Sequence, residues 1–161
     1  MRGIWCVIAL LIYLTPFSSL AEVRAPQRNL QMCFIRAGEQ YKIDFRLLIA
    51  IAQVESSMNP NAIGYNRKNG KVVSEDLGIM QINSSWLVVL NAMGITRKQL
   101  LDDPCQNIFV GAWILAKNIS HNGVNWESVG AYNAGFKDAN AEFRMKYAKK
   151  VYARYLELMG G

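Results

Sequence analysis

Polar and apolar residues alternate along this chain in blocks of helical period, broken once by a polar stretch. An unbroken apolar run from Ile4 to Leu14 comes first. After it, Leu30, Cys33, Phe34, Ala37 and Tyr41 fall on one face and predict a helix from about Asn29 to Tyr41, with residues 22–28 as a lead-in. Asp44 is placed to cap a second helix running to about Ser57, where Pro60 disfavours continuation. From Gly64 to Gly78 the chain turns polar, and Asn69-Gly70 suits a tight hairpin turn. A third helix is expected from near Gln81, with Ile82, Trp86, Val89, Leu90 and Met93 inward and Gly94 at its left-handed end. Thr96 and Gln99 resemble a capping box. Asp103-Pro104 opens a fourth long helix with Cys105, Ile108, Ala112, Leu115 and Ile119 as its inner stripe. His121-Asn122-Gly123 breaks that pattern, and a short segment from Trp126 to Tyr132 follows. A C-terminal helix then sets Phe143, Tyr147, Val151 and Tyr155 inward against a basic face. The pattern predicts a mainly α chain with a small hairpin region near residues 64–78 and no internal repeat.

The N-terminal run changes the picture of the compartment. Arg2 precedes it and Ser19-Leu20-Ala21 follows it, a small-x-small pattern that suits signal peptidase, so residues 1–21 are expected to be a cleaved signal peptide. The alternative, an uncleaved anchor, meets the objection that a membrane-spanning helix needs about 20 apolar residues. Residues 22–161 then form one domain in the periplasm. Cys6 leaves with the signal, and Cys33 and Cys105 remain as an even pair in an exported protein, which reads as one disulfide; two separately buried thiols are the alternative.

Lys and Arg outnumber Asp and Glu by 18 to 12, and loss of Arg2 leaves a body of about +5. Much of that charge lies between Lys137 and Arg154, the solvated face of the last helix, with attraction to an anionic wall or membrane surface as a secondary reading. Nucleic-acid binding would rest on net charge alone and is not expected. His121 is the only histidine, two cysteines do not make a zinc site, and no glycine-rich phosphate loop is present. Neither metal nor cofactor is expected.

Three groups of residues carry candidate chemistry. Glu55 lies in a helix that is apolar nearly all round, and Leu48, Ile51 and Ala52 share its face. A carboxyl held there loses hydration and its pKa rises, as a general acid near neutrality requires. A glutamate at a helix end that reaches solvent or pairs with a cation is the plain alternative. Next, Glu75, Asp76, Gln81 and Asn83 concentrate carboxylates and amides where a loop enters a helix, suited to reading sugar hydroxyl and acetamido groups or simply to a turn and a cap. In Gly130-Ala131-Tyr132-Asn133-Ala134-Gly135, small residues bracket a phenol and an amide; Tyr132 is able to donate to a carboxylate or to sit at the core edge.

In order and spacing, Glu55-Ser56, Gly78-Ile79-Met80-Gln81-Ile82-Asn83 and Ala131-Tyr132-Asn133-Ala134-Gly135 resemble the soluble lytic transglycosylase catalytic domain, over roughly residues 30–155. The likeness is greatest to the small exported transglycosylases that accompany type III and type IV secretion or conjugation machinery. It implies a lysozyme-like α-helical domain with a groove for the glycan strands of peptidoglycan and Glu55 as catalytic acid and base. Ser56, Asp76 and Tyr132 would support Glu55, and Met80, Gln81, Asn83 and Asn133 would bind substrate. The implied product is a 1,6-anhydromuramic end. The segment Asp76–Ser84 is also similar to the part of animal-type lysozymes that carries their second carboxylate, so hydrolysis through Glu55 and Asp76 is an alternative. A non-catalytic glycan-binding protein, or a secretion-complex component docking through Lys146, Lys149 and Lys150, is a third reading. The protein is expected to be a monomer that touches the membrane only through its signal peptide.

Overall fold

The computed structural model describes residues 24–160; the expected signal peptide and its cleavage site lie outside them. Helix α1, Arg24–Tyr41, begins earlier than the periodicity suggests. Pro26 falls in its first turn, where backbone amides have no intrahelical acceptor, so the missing N–H costs the helix nothing. Helix α2, Phe45–Ser56, starts where expected. Asp44 caps it by accepting from the Arg46 amide at 2.9 Å, and also receives the Tyr155 hydroxyl at 2.8 Å. The Arg46 guanidinium beside it holds the Asp44 carboxyl down to about 2. Pro60 is not what stops α2. Ser57 and Met58 both take left-handed conformations, and their amides close on the carbonyls of Gln53 and Ala52.

Strands β1, Ile63–Lys68, and β2, Lys71–Leu77, form the expected antiparallel hairpin. Asn69 and Gly70 both have positive φ at its tip, the backbone that a two-residue type I′ turn demands. The third helix does not begin at Gln81. Gly78 and Gln81 have φ of 73° and 48°, and this reversal lays β3, Ile82–Asn83, antiparallel onto the end of β2. One 3-10 turn, Ser84–Trp86, leads into a short helix α3, Leu87–Ala92. Ile82 and Leu90 are buried as expected, but Val89 and Met93 are 46% and 56% exposed, because a strand and a tight turn present a different face from the continuous helix that their spacing mimics. Gly94 ends α3 with φ of 78°.

Helix α4, Arg97–Asp102, carries the Thr96–Gln99 capping box. Helix α5, Pro104–Asn122, is capped by Asp103 with Pro104 at its start, and buries Ile108, Ala112 and Leu115. It packs on α1, to which the Cys33–Cys105 disulfide ties it across a Cα–Cα distance of 5.3 Å. Asn125 caps α6, Trp126–Ala134. Helix α7, Ala141–Gly160, packs on α2 and α6. Tyr147 and Val151 are buried there, whereas Phe143, expected inward, is 63% exposed. The domain is thus mainly α and lysozyme-like, with one small sheet of order β1-β2-β3. Among the described residues no helix is long and apolar enough to cross a membrane.

A buried amide joins sheet and helices. Asn107 of α5 is fully buried; its Nδ2 donates to the carbonyls of Leu77 and Leu100 at 2.8 and 2.9 Å, and its Oδ1 accepts from the Met80 amide at 2.9 Å. Gly78 is required beside it, since a Cβ there would come within 2.3 Å of Asn107 Nδ2 in addition to the strain of positive φ.

The disulfide closes a loop of 72 residues' separation. Its reduction is expected to lower stability by about 4 kcal/mol in the chain-entropy description. Denaturant unfolding with and without reductant measures this, and coincident curves would contradict it.

Candidate active site

Glu55 is set by the last turn of α2, one residue before the helix ends. The apolar residues that make α2 a core helix leave this carboxyl largely buried. Burial pushes its pKa from 4.5 up to about 7; the negative charge of Asp76 adds to the rise, and a hydrogen bond from Tyr147 opposes it. The bond is short, with Tyr147 Oη donating to Glu55 Oε1 at 2.5 Å. Tyr147 is itself buried, and burial beside this carboxyl raises its own pKa well above 10. At neutral pH it therefore remains a donor.

Glu55 borders a groove of about 410 Å³ whose opposite wall comes from the sheet and the turn after it. Asp76, on β2, lies in that wall. Its Oδ2 accepts from Asn66 Nδ2 at 2.8 Å and its Oδ1 from Asn83 Nδ2 at 2.7 Å, so strands β1 and β3 hold the carboxylate from either side. Glu75, one residue earlier, points away and pairs with Arg97. Trp86 borders the same groove and packs edge-on against Trp113 with ring centroids 5.4 Å apart. The site therefore joins a dehydrated acid and a carboxylate fixed by two amides to an aromatic wall. A sugar ring presents hydroxyls to such amides and a C–H face to such an indole.

The remaining sequence-derived candidates divide. Asn133 is exposed and lines the groove. Gln81 also lines it, but its Nε2 is engaged with the carbonyls of Ala62 and Gly78, so only its carbonyl oxygen is left to meet a ligand. Asn83 reaches the groove while its amide serves Asp76, Ser74 and the Ser85 N–H. Tyr132 borders the groove, yet its hydroxyl donates to the Met80 carbonyl at 2.9 Å; the bond to Glu55 expected of it is made by Tyr147 instead. Ser56 donates to the carbonyls of Ala52 and Ile79, fastening α2 to the turn after β2 and leaving Glu55 untouched. Met80 is fully buried against Gly111 and lines no part of the groove, contrary to its expected contact with substrate. Its thioether fills the space that the missing Cβ of Gly111 leaves. His121 packs against Phe136, and no group of residues able to hold a metal occurs among the described residues.

Tyr147, Asn66 and Trp86 were not legible as site residues. Tyr147 matches the apolar period of α7, Trp86 that of the misread third helix, and Asn66 stands in a polar strand with no pattern to mark it.

The Transglycosylase SLT domain family matches residues 32–154 of the chain. The chain is 48% identical over 128 residues to Invasion protein IagB of Salmonella typhimurium, a match covering 80% of this chain and 78% of that one. It is 43% identical over 129 residues to a Peptidoglycan-binding-like protein of Escherichia coli O157:H7, covering 78% and 77%. With Protein IpgF of Shigella flexneri it shares 41% over 126 residues, covering 78% and 80%.

Two outcomes are expected of the acid. Tyr147→Phe removes the one contact that favours the charged form, so the Glu55 pKa rises above about 7, as a carboxyl NMR titration would record. A fold that holds Glu55 protonated loses stability as pH climbs from 4.5 through about 7, by on the order of 3 kcal/mol once the group is ionised. Glu55→Gln is therefore expected to be more stable than the native protein at pH 8 and little different at pH 4. Equal stability at both pH values would show that Glu55 is not dehydrated.

Proposed function

The chain belongs to the transglycosylase SLT domain family, and on that ground we propose that it is a peptidoglycan lytic transglycosylase, with Glu55 as the acid and then the base. The observation that carries this reading is a single largely buried carboxyl, its pKa near 7, at the edge of a groove walled by amides and an indole. Half-protonated at neutral pH, such a group is able both to give and to take a proton.

In this reading the strand lies in the groove with the bond between N-acetylmuramic acid and N-acetylglucosamine beside Glu55. Protonated Glu55 donates to the glycosidic oxygen as the C1–O bond breaks, and the substrate's own acetamido group stabilises the cation that forms at C1. Glu55, now a carboxylate, takes the proton of the muramic 6-hydroxyl while O6 bonds to C1. A 1,6-anhydromuramic end results, the acid is regenerated, and no water is consumed. Tyr147 keeps the carboxyl in place through both proton transfers. Tyr132 holds the Met80 carbonyl and with it the turn that shapes the groove. Asp76, fixed by the amides of Asn66 and Asn83, stabilises positive charge across the groove.

That same fixed carboxylate favours one second reading, hydrolysis with Glu55 as acid and Asp76 as partner to water or as nucleophile. The compartment we propose is the periplasm, reached by cleavage after Ala21, and the role is local opening of the wall for a secretion or conjugation apparatus. The name of the Salmonella relative, an invasion protein, supports a task of that kind.

Mass spectrometry of muropeptides released from purified peptidoglycan tests the chemistry. Anhydromuramic ends are expected; reducing ends would transfer the assignment to hydrolysis. Glu55→Gln is expected to lose about 10³-fold of activity or more, in the upper range of general acid–base contributions. A near-normal rate would remove Glu55 from the reaction. Asp76→Asn is expected to retain anhydro products at a reduced rate, whereas complete loss with intact folding would promote Asp76 to a direct participant.

A further inference from the structure

A second hollow, of about 300 Å³, lies beside the groove. It shares Glu55 and Asn133 with the groove, so the acid borders both spaces. Its far wall is one stripe of α7, Phe143, Lys146, Tyr147 and Lys150, residues three and four apart on a single helix face. Tyr147 is the buried floor. The other three are exposed. None of the ion pairs among the described residues includes Lys146 or Lys150. Packing does not account for the three exposed residues of this wall, because Arg144, Tyr147, Ala148 and Val151 supply the buried contacts of α7. What remains is an exposed aromatic ring at one end of a helix stripe that also carries two ammonium groups outside any ion pair, a surface suited to a ligand with an aliphatic stem and carboxylates.

Muramic acid carries such a group. Its lactyl ether is amide-linked to a peptide stem bearing free carboxylates, and in the proposed reaction the muramic residue at the scissile bond sits beside Glu55, which also borders this hollow. Resting on the reading of the groove as a peptidoglycan site, we propose that this hollow receives the stem, with Lys146 and Lys150 pairing with its carboxylates and Phe143 covering its aliphatic part. The enzyme then selects stem-bearing strands, and the basic charge of α7 is divided by face. Lys149, on the same helix, does not border the hollow. A charged donor on a carboxylate makes a stronger contact than a neutral one, and displacement of solvent from the Phe143 ring adds to it.

The test is equilibrium binding of soluble glycan strands to the Glu55→Gln protein, which needs no turnover. One sample carries native stems and the other the same stems with every carboxyl amidated. Native strands are expected to bind about tenfold more tightly, the equivalent of one good charge-assisted contact. On that background Lys146→Gln/Lys150→Gln is expected to bring the ratio close to one, while Lys149→Gln, a charge lost from the same helix outside the hollow, leaves it near tenfold. Unchanged melting of each variant verifies its folding. Equal affinity of the starting protein for the two samples would overturn the proposal, as would an equal fall in the ratio from Lys149→Gln. Cleavage is scored separately with the native protein: absence of product alongside a preserved preference would remove the transglycosylase reading and leave the hollow as a stem-binding site.

Discussion

One buried amide holds the site to the fold. Asn107 reaches from α5 to the carbonyls at the end of β2 and α4 and to the amide of Met80, and its three hydrogen bonds are the condition on which an amide can sit at zero exposure. Through that bracket the turn between β2 and β3 is fixed to the helical core, and with it Asp76, Gln81 and the carbonyls that accept from Ser56 and Tyr132. Gly78 makes the approach possible, because a side chain would collide with the amide, and Gly111 does the same for Met80 one turn further along α5. The groove owes its wall on that side to these close approaches rather than to the strength of the small sheet.

The opposite wall depends on α7 clamping α2. The two helices are tied near both ends of α2, by Tyr155 to Asp44 at the start and by Tyr147 to Glu55 at the finish. The two bonds have opposite electrostatic character. At Asp44 the phenol joins a guanidinium and a backbone amide around a part-buried carboxylate, which stays ionised. At Glu55 a single phenol meets a carboxyl surrounded by apolar side chains, and dehydration wins over the hydrogen bond. The same donor type thus accompanies a pKa near 2 at one end of a helix and near 7 at the other. The difference comes from what else surrounds each carboxyl.

Helix α7 also divides the surface chemistry. Its buried face packs the core and steadies the acid, and its adjoining face, with Phe143, Lys146 and Lys150, opens onto the same acid from outside. A purely amphipathic reading merges these roles, since Phe143 falls in step with Tyr147 and Val151. Only the termination of α6 at Gly135 and the 3-10 turn Asp138–Asn140 before α7 decide where the first turn of that helix emerges from the core.

The sequence by itself determined the elements whose signals are local. The caps at Asp44, Thr96 and Asp103, the Asn69-Gly70 turn, the stripe of α5 and the apolar environment of Glu55 each depend on neighbours a few residues away, and the ordered motifs pointed to the family. Tertiary structure decided what depends on distance. The segment after Gly78 keeps a helical period yet forms a strand, because pairing with β2 satisfies its backbone. Met80 reads as a groove residue and is buried, because Gly111 offers it space. Tyr147 lies 92 residues from Glu55 in sequence and is its hydrogen-bond partner. Local pattern records which face of an element is apolar, whereas the identity of the group that meets a phenol or an amide across the core is fixed only when helices and sheet are brought together.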